Sequence, residues 1–199
     1  MRILVVGASG DIGKIVCDDL GARHEIVRAG RSSGDVRVDI SDPAAVAAMY
    51  DEVGPLDAVI STAGDVHFGP LSEHTAETMM MGLKGKVMGQ VNLVLADLNR
   101  LTDGGSFTLT SGVLDRDPIR MGLGAATANG ALAGFVTGAA IEMPRGLRIN
   151  VVSPGLLEVS APRYGAWFPG HLPVSSQKVA LGYAKSVEGA ITGQVIIVE

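Results

Sequence analysis

A short apolar run followed at once by a glycine-rich turn places the strongest constraint on this chain. The run Ile3–Val6 has four β-prone residues and predicts a buried strand. The residues from Ile12 to Leu20 have apolar side chains at helical spacing and predict a helix. The turn between the strand and the helix can contact a ligand through its backbone, at Gly7, Ser9, Gly10, Asp11, Ile12 and Gly13.

A strand, a glycine turn and a helix in this order form a site for phosphate. The unpaired N–H groups of the first helical turn and the positive end of the helix dipole point to the same place. The glycines at positions 7, 10 and 13 let the backbone approach a ligand closely. Glycine-rich segments also form plain turns, but the position between strand and helix favours the pyrophosphate of a dinucleotide.

The composition sets limits on the class of protein. The chain has 199 residues, which suits one domain with a single core, and we expect one domain over residues 1–199. Hydrophobic residues make up 47% and charged residues 19%, which is typical of a buried parallel sheet and argues against disorder. The single cysteine, Cys17, excludes an internal disulfide and a cysteine-based metal cluster, and we predict no metal site.

Charge and hydropathy patterning limit the partners and the compartment. The net charge is −5 and no dense basic cluster is present, which argues against nucleic acid or an anionic membrane as the main partner. No apolar run approaches the length of a membrane span, and no secretory signal is recognisable. We therefore expect a soluble protein of the cytoplasm.

Predicted strands and helices alternate along the rest of the chain. The further predicted strands are Glu25–Ala29, Val36–Ile40, Asp57–Ile60, Ser106–Thr110, Arg148–Val152 and Gln194–Val198. The further predicted helices are Ala44–Glu52, Thr75–Leu101, Ala125–Glu142 and Ser176–Val187, with an irregular stretch over Leu156–Val174. The alternation predicts an α/β protein, a Rossmann-like, doubly wound parallel sheet of about seven strands with helices on both faces. Ligands of such sheets bind at the carboxyl ends of the strands.

The end of the second strand indicates which dinucleotide is bound. An acidic residue there would hydrogen-bond the ribose of NAD, but this chain has Arg31 and Ser32 and no acid. A guanidinium and a hydroxyl suit a 2′-phosphate. We therefore expect NADP(H) as the preferred cofactor and NAD(H) as a possible one, although Arg31 also fits a solvated turn.

Two residues at the end of the third predicted strand fit the adenine ring. The carboxylate of Asp39 is placed to accept from an adenine amino group, with Ile40 against the ring. The alternative is that Asp39 caps the turn that follows, because short acidic side chains commonly hydrogen-bond nearby backbone. The sequence leaves both open.

Further segments resemble the short-chain dehydrogenase/reductase superfamily, over essentially the whole chain. Ser61-Thr62-Ala63-Gly64 stands where that family has its Asn-Ala-Gly turn, Leu109-Thr110-Ser111 matches the strand end that carries its serine, and Ile191–Gln194 resembles its closing Thr-Gly strand. The segment Arg148–Gly155 resembles the Asn…Pro-Gly turn beside the nicotinamide. The resemblance implies that five of these residues border the cofactor: Ser61, Ala63, Gly64, Pro154 and Gly155.

The chain departs from the family at the catalytic positions. Family members use a Tyr-x-x-x-Lys pair on the helix after the fifth strand, a serine, and an asparagine on the preceding helix. Here the tyrosine position falls on Ala125, the lysine position on Asn129 and the asparagine position on Lys86, so that only Ser111 matches. The resemblance implies that Asn129 lies beside the cofactor.

Two other side chains are candidates for the missing acid. Lys86 would project toward the lost asparagine site, where an ammonium with a pKa lowered by burial polarises or protonates a carbonyl oxygen. His67 follows Gly64 on the loop that borders the nicotinamide, and histidine titrates in the working range. Lys86 also fits a solvated or phosphate-contacting lysine, and His67 a turn residue facing water. Ser111 is expected to hydrogen-bond the substrate oxygen.

The segment Arg163–His171 follows the Pro-Gly turn, where the family has its substrate lid. It contains the only tryptophan and several further aromatic residues, which fit the wall of an apolar pocket or a loop packed on the core. We expect an NADP(H)-dependent oxidoreductase acting on a small, apolar carbonyl or alcohol, with a binding protein that senses NADP(H) without turnover as the alternative. Small-residue-rich helices near Lys84 and Ala131 predict, by analogy, a homodimer or homotetramer.

Overall fold

A fully parallel sheet forms the centre of the protein. The structure is a computed structural model and describes residues 1–96 and 98–199. Its strands, β1 to β7 in chain order, are Arg2–Val6, Glu25–Gly30, Val36–Arg37, Leu56–Ser61, Leu101–Thr110, Arg148–Pro154 and Val195–Val198. The spatial order is β3-β2-β1-β4-β5-β6-β7, as a doubly wound fold requires. This confirms the predicted seven-stranded Rossmann-like sheet.

Helices cover the two faces of the sheet. The helices, α1 to α7 in chain order, are Asp11–Gly21, Pro43–Val53, Ala76–Gly82, Gly89–Leu95, Leu123–Ala140, Ala161–Tyr164 and Ser176–Glu188. Successive residues of β1 point to opposite faces. Ile3 and Val5 pack in one buried cluster with residues of α1 and α7, whereas Leu4 and Val6 pack in another with residues of α2, α4 and α5.

The prediction of one continuous helix over Thr75–Leu101 was wrong. The helix begins as predicted, because Thr75 accepts a hydrogen bond from the Thr78 amide as an N-cap. A π-helical stretch over Leu83–Met88 then separates α3 from α4, and α4 ends at Leu95. Asp97, within the predicted helix, lies outside the described residues.

The fifth strand begins earlier than predicted and the third ends earlier. Leu101 already pairs with Leu56 of β4, and an irregularity in the pairing precedes Ser106, where the prediction began. The two glycines before Ser106 resemble a loop in the sequence, which hid this part of β5. The third strand is only Val36–Arg37, because Asp39 begins a turn in which the Asp42 amide donates to its carbonyl.

The glycine turn lies at the point where the order of the strands reverses, which forms a crevice at the edge of the sheet. The chain runs outward from β1 to β3 and then returns to β4 on the other side of β1. The turn after β1 therefore lies against the end of β4, where an ideal Cβ on Gly7 would lie 2.9 Å from the Ala63 nitrogen. In open α/β sheets this switch point is where ligands bind.

Candidate active site

The glycine turn has the geometry of a phosphate cradle. Gly7 has φ 85, and its amide donates to the Ala29 carbonyl at 2.8 Å. An ideal Cβ on Gly13 would lie 2.1 Å from the Gly7 carbonyl oxygen, so only glycine lets α1 pack this closely on the turn. Gly10 caps α1 without a side-chain hydrogen bond, which leaves the amides of Asp11, Ile12 and Gly13 for an anion. Ser9 and Gly10 are exposed in the same turn.

The end of β4 supports this turn and borders the crevice. The Thr62 hydroxyl lies 3.1 Å from the carbonyl oxygens of Val6 and Gly7 and donates to them. Ser61 is buried with its hydroxyl unpartnered among the described residues, whereas Ala63 is only partly buried and Gly64 is exposed. The predicted cofactor-lining residues of this segment therefore lie against the glycine turn.

Arg31 and Ser32 are exposed at the end of β2. A guanidinium nitrogen of Arg31 lies 3.9 Å from a carboxylate oxygen of Asp65, and both side chains are largely exposed. A contact of this kind contributes little to stability. The guanidinium therefore remains available to a phosphate, and the carboxylate of Asp65 is the group with which that phosphate competes.

The structure favours the capping alternative for Asp39. One carboxylate oxygen accepts from the Ser41 amide at 3.0 Å and from the Ser41 hydroxyl at 2.7 Å, and these bonds lower the pKa of Asp39. Ile40 is buried against Gly89 of α4, where an ideal Cβ would lie 2.8 Å from an Ile40 side-chain carbon. Contact of either residue with adenine stays a prediction.

The structure brings together Lys86, Asn129 and Ser111, which lie in the π-helical stretch, in the middle of α5 and directly after β5. Lys86 lies in the π-helical stretch between α3 and α4, a kind of irregularity often found at functional sites. Its ammonium donates to the Asn129 side-chain oxygen at 2.7 Å and to the Ser111 carbonyl at 3.1 Å. Asn129, on α5, donates in turn to the Gly112 carbonyl at 3.1 Å. These bonds fix Asn129 with its oxygen toward the ammonium.

Burial lowers the pKa of Lys86 to about 8, and Asp115 opposes that shift. Its two hydrogen-bond acceptors are neutral groups, so among the described residues the charge has no direct carboxylate partner. Gly64 makes room for the side chain: an ideal Cβ there would lie 2.6 Å from Cγ of Lys86. A lysine of this kind can both donate and accept a proton near neutral pH.

Ser111 and Ala125 complete this corner of the site. The Ser111 hydroxyl is buried and has no hydrogen-bond partner among the described residues, although such groups are normally satisfied. Ala125, at the tyrosine position, is buried with Val113 and Leu114, and the ring of Phe168 packs on this cluster. Apolar side chains therefore surround the place where the family has its tyrosine.

The described contacts of His67 are with residues other than Lys86, Asn129 and Ser111, and its catalytic role stays a prediction. Its ring meets the ring of His74 edge to face with centroids 5.2 Å apart, and the ring of His74 lies 3.1 Å from the Gly69 carbonyl. Like Lys86, Asn129 and Ser111, His67 is not among the described residues that line the cavity described next, although its neighbour Phe68 is.

An apolar cavity of about 610 Å³ opens beside the glycine turn. This volume is in the range of small-molecule sites. Gly64 and Gly155 line it, and the amide of Gly155 donates to the Val198 carbonyl at 2.9 Å, which fixes Gly155 directly after the buried Pro154. Tyr164, Trp167 and Phe168 line it as well. The aromatic segment is thus a wall of the cavity, as predicted.

Sequence reasoning missed the contact between α1 and the aromatic segment. The Ser160 hydroxyl donates to the Asp11 carboxylate at 2.7 Å, and the Arg163 guanidinium donates to the same oxygen. Arg163 also lies 5.4 Å from the centre of the Tyr164 ring. Asp11 itself was the indication in the sequence. An acid in the first turn of a phosphate site repels the ligand, so a cation such as Arg163 was to be expected beside it.

The described residues contain no helix that is long and apolar enough to cross a bilayer. They also contain no group of three or more histidine, cysteine or acidic side chains arranged to hold a metal ion.

Comparison with known proteins assigns the family. A family model described as enoyl-(acyl carrier protein) reductase matches residues 14–198. The crystal structure of the protein lin1944 from Listeria innocua is 48% identical with a TM-score of 0.98, and the match covers 100% of both chains. A crystal structure of a small-chain dehydrogenase in complex with NADPH is 27% identical with a TM-score of 0.88, over 100% of this chain and 96% of that one.

A curated relative carries a different description. The cyclic-di-GMP-binding biofilm dispersal mediator protein of Escherichia coli K12 is 27% identical over an alignment of 175 residues, and the match covers 80% of this chain and 74% of that protein. The family match spans nearly the whole chain, and the fold agrees with solved dehydrogenases of this type. The chain therefore belongs to the short-chain dehydrogenase/reductase superfamily of oxidoreductases.

Proposed function

We propose that this protein is an NADP(H)-dependent oxidoreductase that interconverts a small, apolar carbonyl compound and its alcohol. The observation that carries the proposal is the hydrogen bond of 2.7 Å between Lys86 and Asn129 beside Ser111. Lys86, Asn129 and Ser111 form what we call the catalytic corner of the site. The ammonium of Lys86 has a pKa of about 8 there and replaces the family's tyrosine as the proton donor.

The residues at the crevice fit a dinucleotide. The first turn of α1 has no side-chain cap and fits a pyrophosphate. Glycine at position 13, where a Cβ would not fit, lets the backbone come close to that ligand. Arg31 and Ser32 would hold the 2′-phosphate of NADP(H). NAD(H) fits the same turn without using Arg31. The relative solved with NADPH, at 27% identity, supports this assignment.

Each residue of the catalytic corner has a separate role in the proposal. The nicotinamide, when bound, supplies the hydride chemistry. Lys86 donates a proton to the carbonyl oxygen, or takes it back in the direction of alcohol oxidation, since one of its three N–H donors is left by the bonds to Asn129 and Ser111. The Ser111 hydroxyl, which lacks a partner among the described residues, hydrogen-bonds the same oxygen. Asn129 orients the ammonium.

The chain exchanges two family side chains between two helices. Lys86 stands where the family has asparagine, and Asn129 stands where it has lysine. Because the two side chains are hydrogen-bonded, the exchange keeps one ammonium and one amide in the same corner. We assign no catalytic role to His67, whose ring contacts the ring of His74 edge to face.

A binding protein without turnover is the second candidate. The observation that favours it is Ala125 at the tyrosine position, buried among apolar side chains. The curated relative at 27% identity is named for binding cyclic-di-GMP, a nucleotide, which suggests that a member of this kind can act by binding. Under this candidate the same crevice senses NADP(H) or another dinucleotide and Lys86 performs no proton transfer.

Binding and turnover separate the two candidates. Trp167, the only tryptophan, lines the cavity and reports on ligands by its fluorescence. Titration with NADPH, NADH and cyclic-di-GMP, followed by a screen of apolar ketones and aldehydes for loss of NADPH absorbance, tests both. We expect tightest binding of NADPH and its oxidation by at least one carbonyl. Binding without oxidation across the panel selects the sensor, and tighter binding of cyclic-di-GMP contradicts the NADP(H) assignment.

A further inference from the structure

One charged side chain lines the apolar cavity without a partner. Among the described residues that line it, Arg120 is the only charged one. The others are apolar or aromatic side chains and two glycines: Ile12, Gly64, Phe68, Ile119, Met121, Gly155, Leu156, Leu157, Tyr164, Trp167 and Phe168. Arg120 is exposed, and it has no hydrogen bond or ion pair within the part of the chain that the structure describes, so water is its partner in the absence of a ligand.

The neighbouring acids of the same loop are already engaged. The carboxylate of Asp115 lies 3.2 Å from the guanidinium of Arg116. The carboxylate of Asp117 lies 3.6 Å from the ring of His171. The two nearby carboxylates therefore contact other side chains and leave the guanidinium of Arg120 without an acidic partner.

The backbone of this loop is held in a costly conformation that keeps Arg120 at the cavity. The Gly122 amide donates to the Ile119 carbonyl at 3.2 Å and closes a turn with Arg120 and Met121 at its centre. Met121 has φ 67, which glycine or asparagine normally adopts in such a turn. Its carbonyl accepts from the Gly69 amide at 3.0 Å, which holds the strained residue in place. Backbone strain of this kind concentrates at ligand sites.

We infer that the substrate of this cavity is an apolar carbonyl compound that carries a carboxylate, and that Arg120 binds the carboxylate. The inference deepens the proposed function by naming its substrate class, and its binding test is independent of turnover. A guanidinium pairs with a carboxylate through two parallel hydrogen bonds. The apolar and aromatic walls take the hydrocarbon part. Gly64 lines the cavity and lies against the Lys86 side chain, and so connects the cavity to the corner formed by Lys86 and Ser111.

The inference is tested with two probes of matched shape. Octanoate and octanamide differ in charge but hardly in size, and their binding is followed by Trp167 fluorescence, with and without NADPH. We expect octanoate to bind at least tenfold more tightly than octanamide. In Arg120→Gln this preference disappears, because the affinity for octanoate falls by at least tenfold while that for octanamide is unchanged.

Two controls make the result specific. Arg37→Gln removes the same charge from the exposed strand β3, away from the cavity, and is expected to keep the preference for octanoate. NADPH affinity is expected to be unchanged in Arg120→Gln. The inference is overturned if octanoate gives no signal at millimolar concentration, if the preference survives in Arg120→Gln, or if that variant instead loses NADPH affinity. A lack of NADPH oxidation with every carbonyl, beside an intact Arg120-dependent preference, would overturn only the proposed function.

Discussion

The ammonium of Lys86 lies 2.7 Å from the side-chain oxygen of Asn129. The resemblance to the superfamily predicts that these two residues occupy each other's places in its catalytic pattern. The contact joins the π-helical stretch before α4 to the middle of α5. Under the proposed function, the contact keeps a positively charged donor beside Ser111 and replaces the donor lost with the Tyr-x-x-x-Lys pair. Burial then brings the pKa of that donor to about 8.

The pKa of Lys86 predicts the pH dependence of carbonyl reduction. The protonated form is the acid, so kcat is level below pH 8 and falls about tenfold per pH unit above it. Asn129→Asp places a carboxylate beside the ammonium and raises the pKa of Lys86. The falling limb then moves at least about one unit to higher pH. Rate measurements across this range check both statements; identical profiles for the two proteins would show that Lys86 is not the titrating group.

Arg31 is predicted to set the preference between the two nicotinamide dinucleotides. Arg31→Ala removes a charge-assisted contact and raises the Kd of NADPH about 10- to 100-fold, while the Kd of NADH changes little. Asp65→Asn removes the carboxylate 3.9 Å from Arg31 and is expected to lower the Kd of NADPH. Calorimetric titration measures all four values. Equal losses for NADPH and NADH in Arg31→Ala would place Arg31 outside the 2′-phosphate site.

The contact of Asp11 with Arg163 and Ser160 is predicted to hold the aromatic segment on α1. Arg163→Gln and Asp11→Asn each remove about 1 kcal/mol from this contact. Hydrogen exchange in Ala161–Trp167 then becomes about fivefold faster, and the double variant is no faster than either single one. Lys14→Gln, which removes a different charge from α1, serves as the control. Unaltered exchange in both single variants would mean that other contacts hold the segment.

Gly13 is predicted to be the least replaceable residue of the glycine turn. Gly13→Ala puts a methyl group 2.1 Å from the Gly7 carbonyl oxygen and is expected to lower the free energy of unfolding by about 3 kcal/mol or more. Gly134→Ala is the matched control on α5, where no heavy atom lies within 4 Å of the added carbon, and it is expected to raise stability by up to about 1 kcal/mol. Urea unfolding compares them, and equal effects would contradict the close packing of α1 on the turn.

The sequence predicted those parts of the fold that depend on local patterns. The apolar run of β1, the glycine turn and α1 each carry their signal within a few residues, so their order and the sheet around them were predictable. The first half of β5 was missed because Gly104 and Gly105 resemble a turn, although Leu101 already pairs with Leu56. The π-helical stretch was missed because its residues keep an ordinary helical pattern.

The candidate site was predictable only in part, because several of its contacts join distant residues. Lys86 and Ser111 were identified singly, but the bond from Lys86 to Asn129 spans 43 residues and depends on the packing of α5. The bond from Arg163 to Asp11 spans 152 residues. Periodicity gives no information on contacts at such separations, nor on the direction of the His67 ring.

The rate of NADPH oxidation by Lys86→Met tests the central claim most directly. With a carbonyl substrate that the wild-type protein reduces, this variant is predicted to lose at least about 100-fold in kcat, because it lacks the proton donor, and to keep its affinity for NADPH. Lys84→Met, which removes an exposed lysine two residues away, is predicted to keep the wild-type rate. A wild-type rate in Lys86→Met would contradict the account. So would a failure of the wild-type protein to oxidise NADPH with any carbonyl compound of the panel.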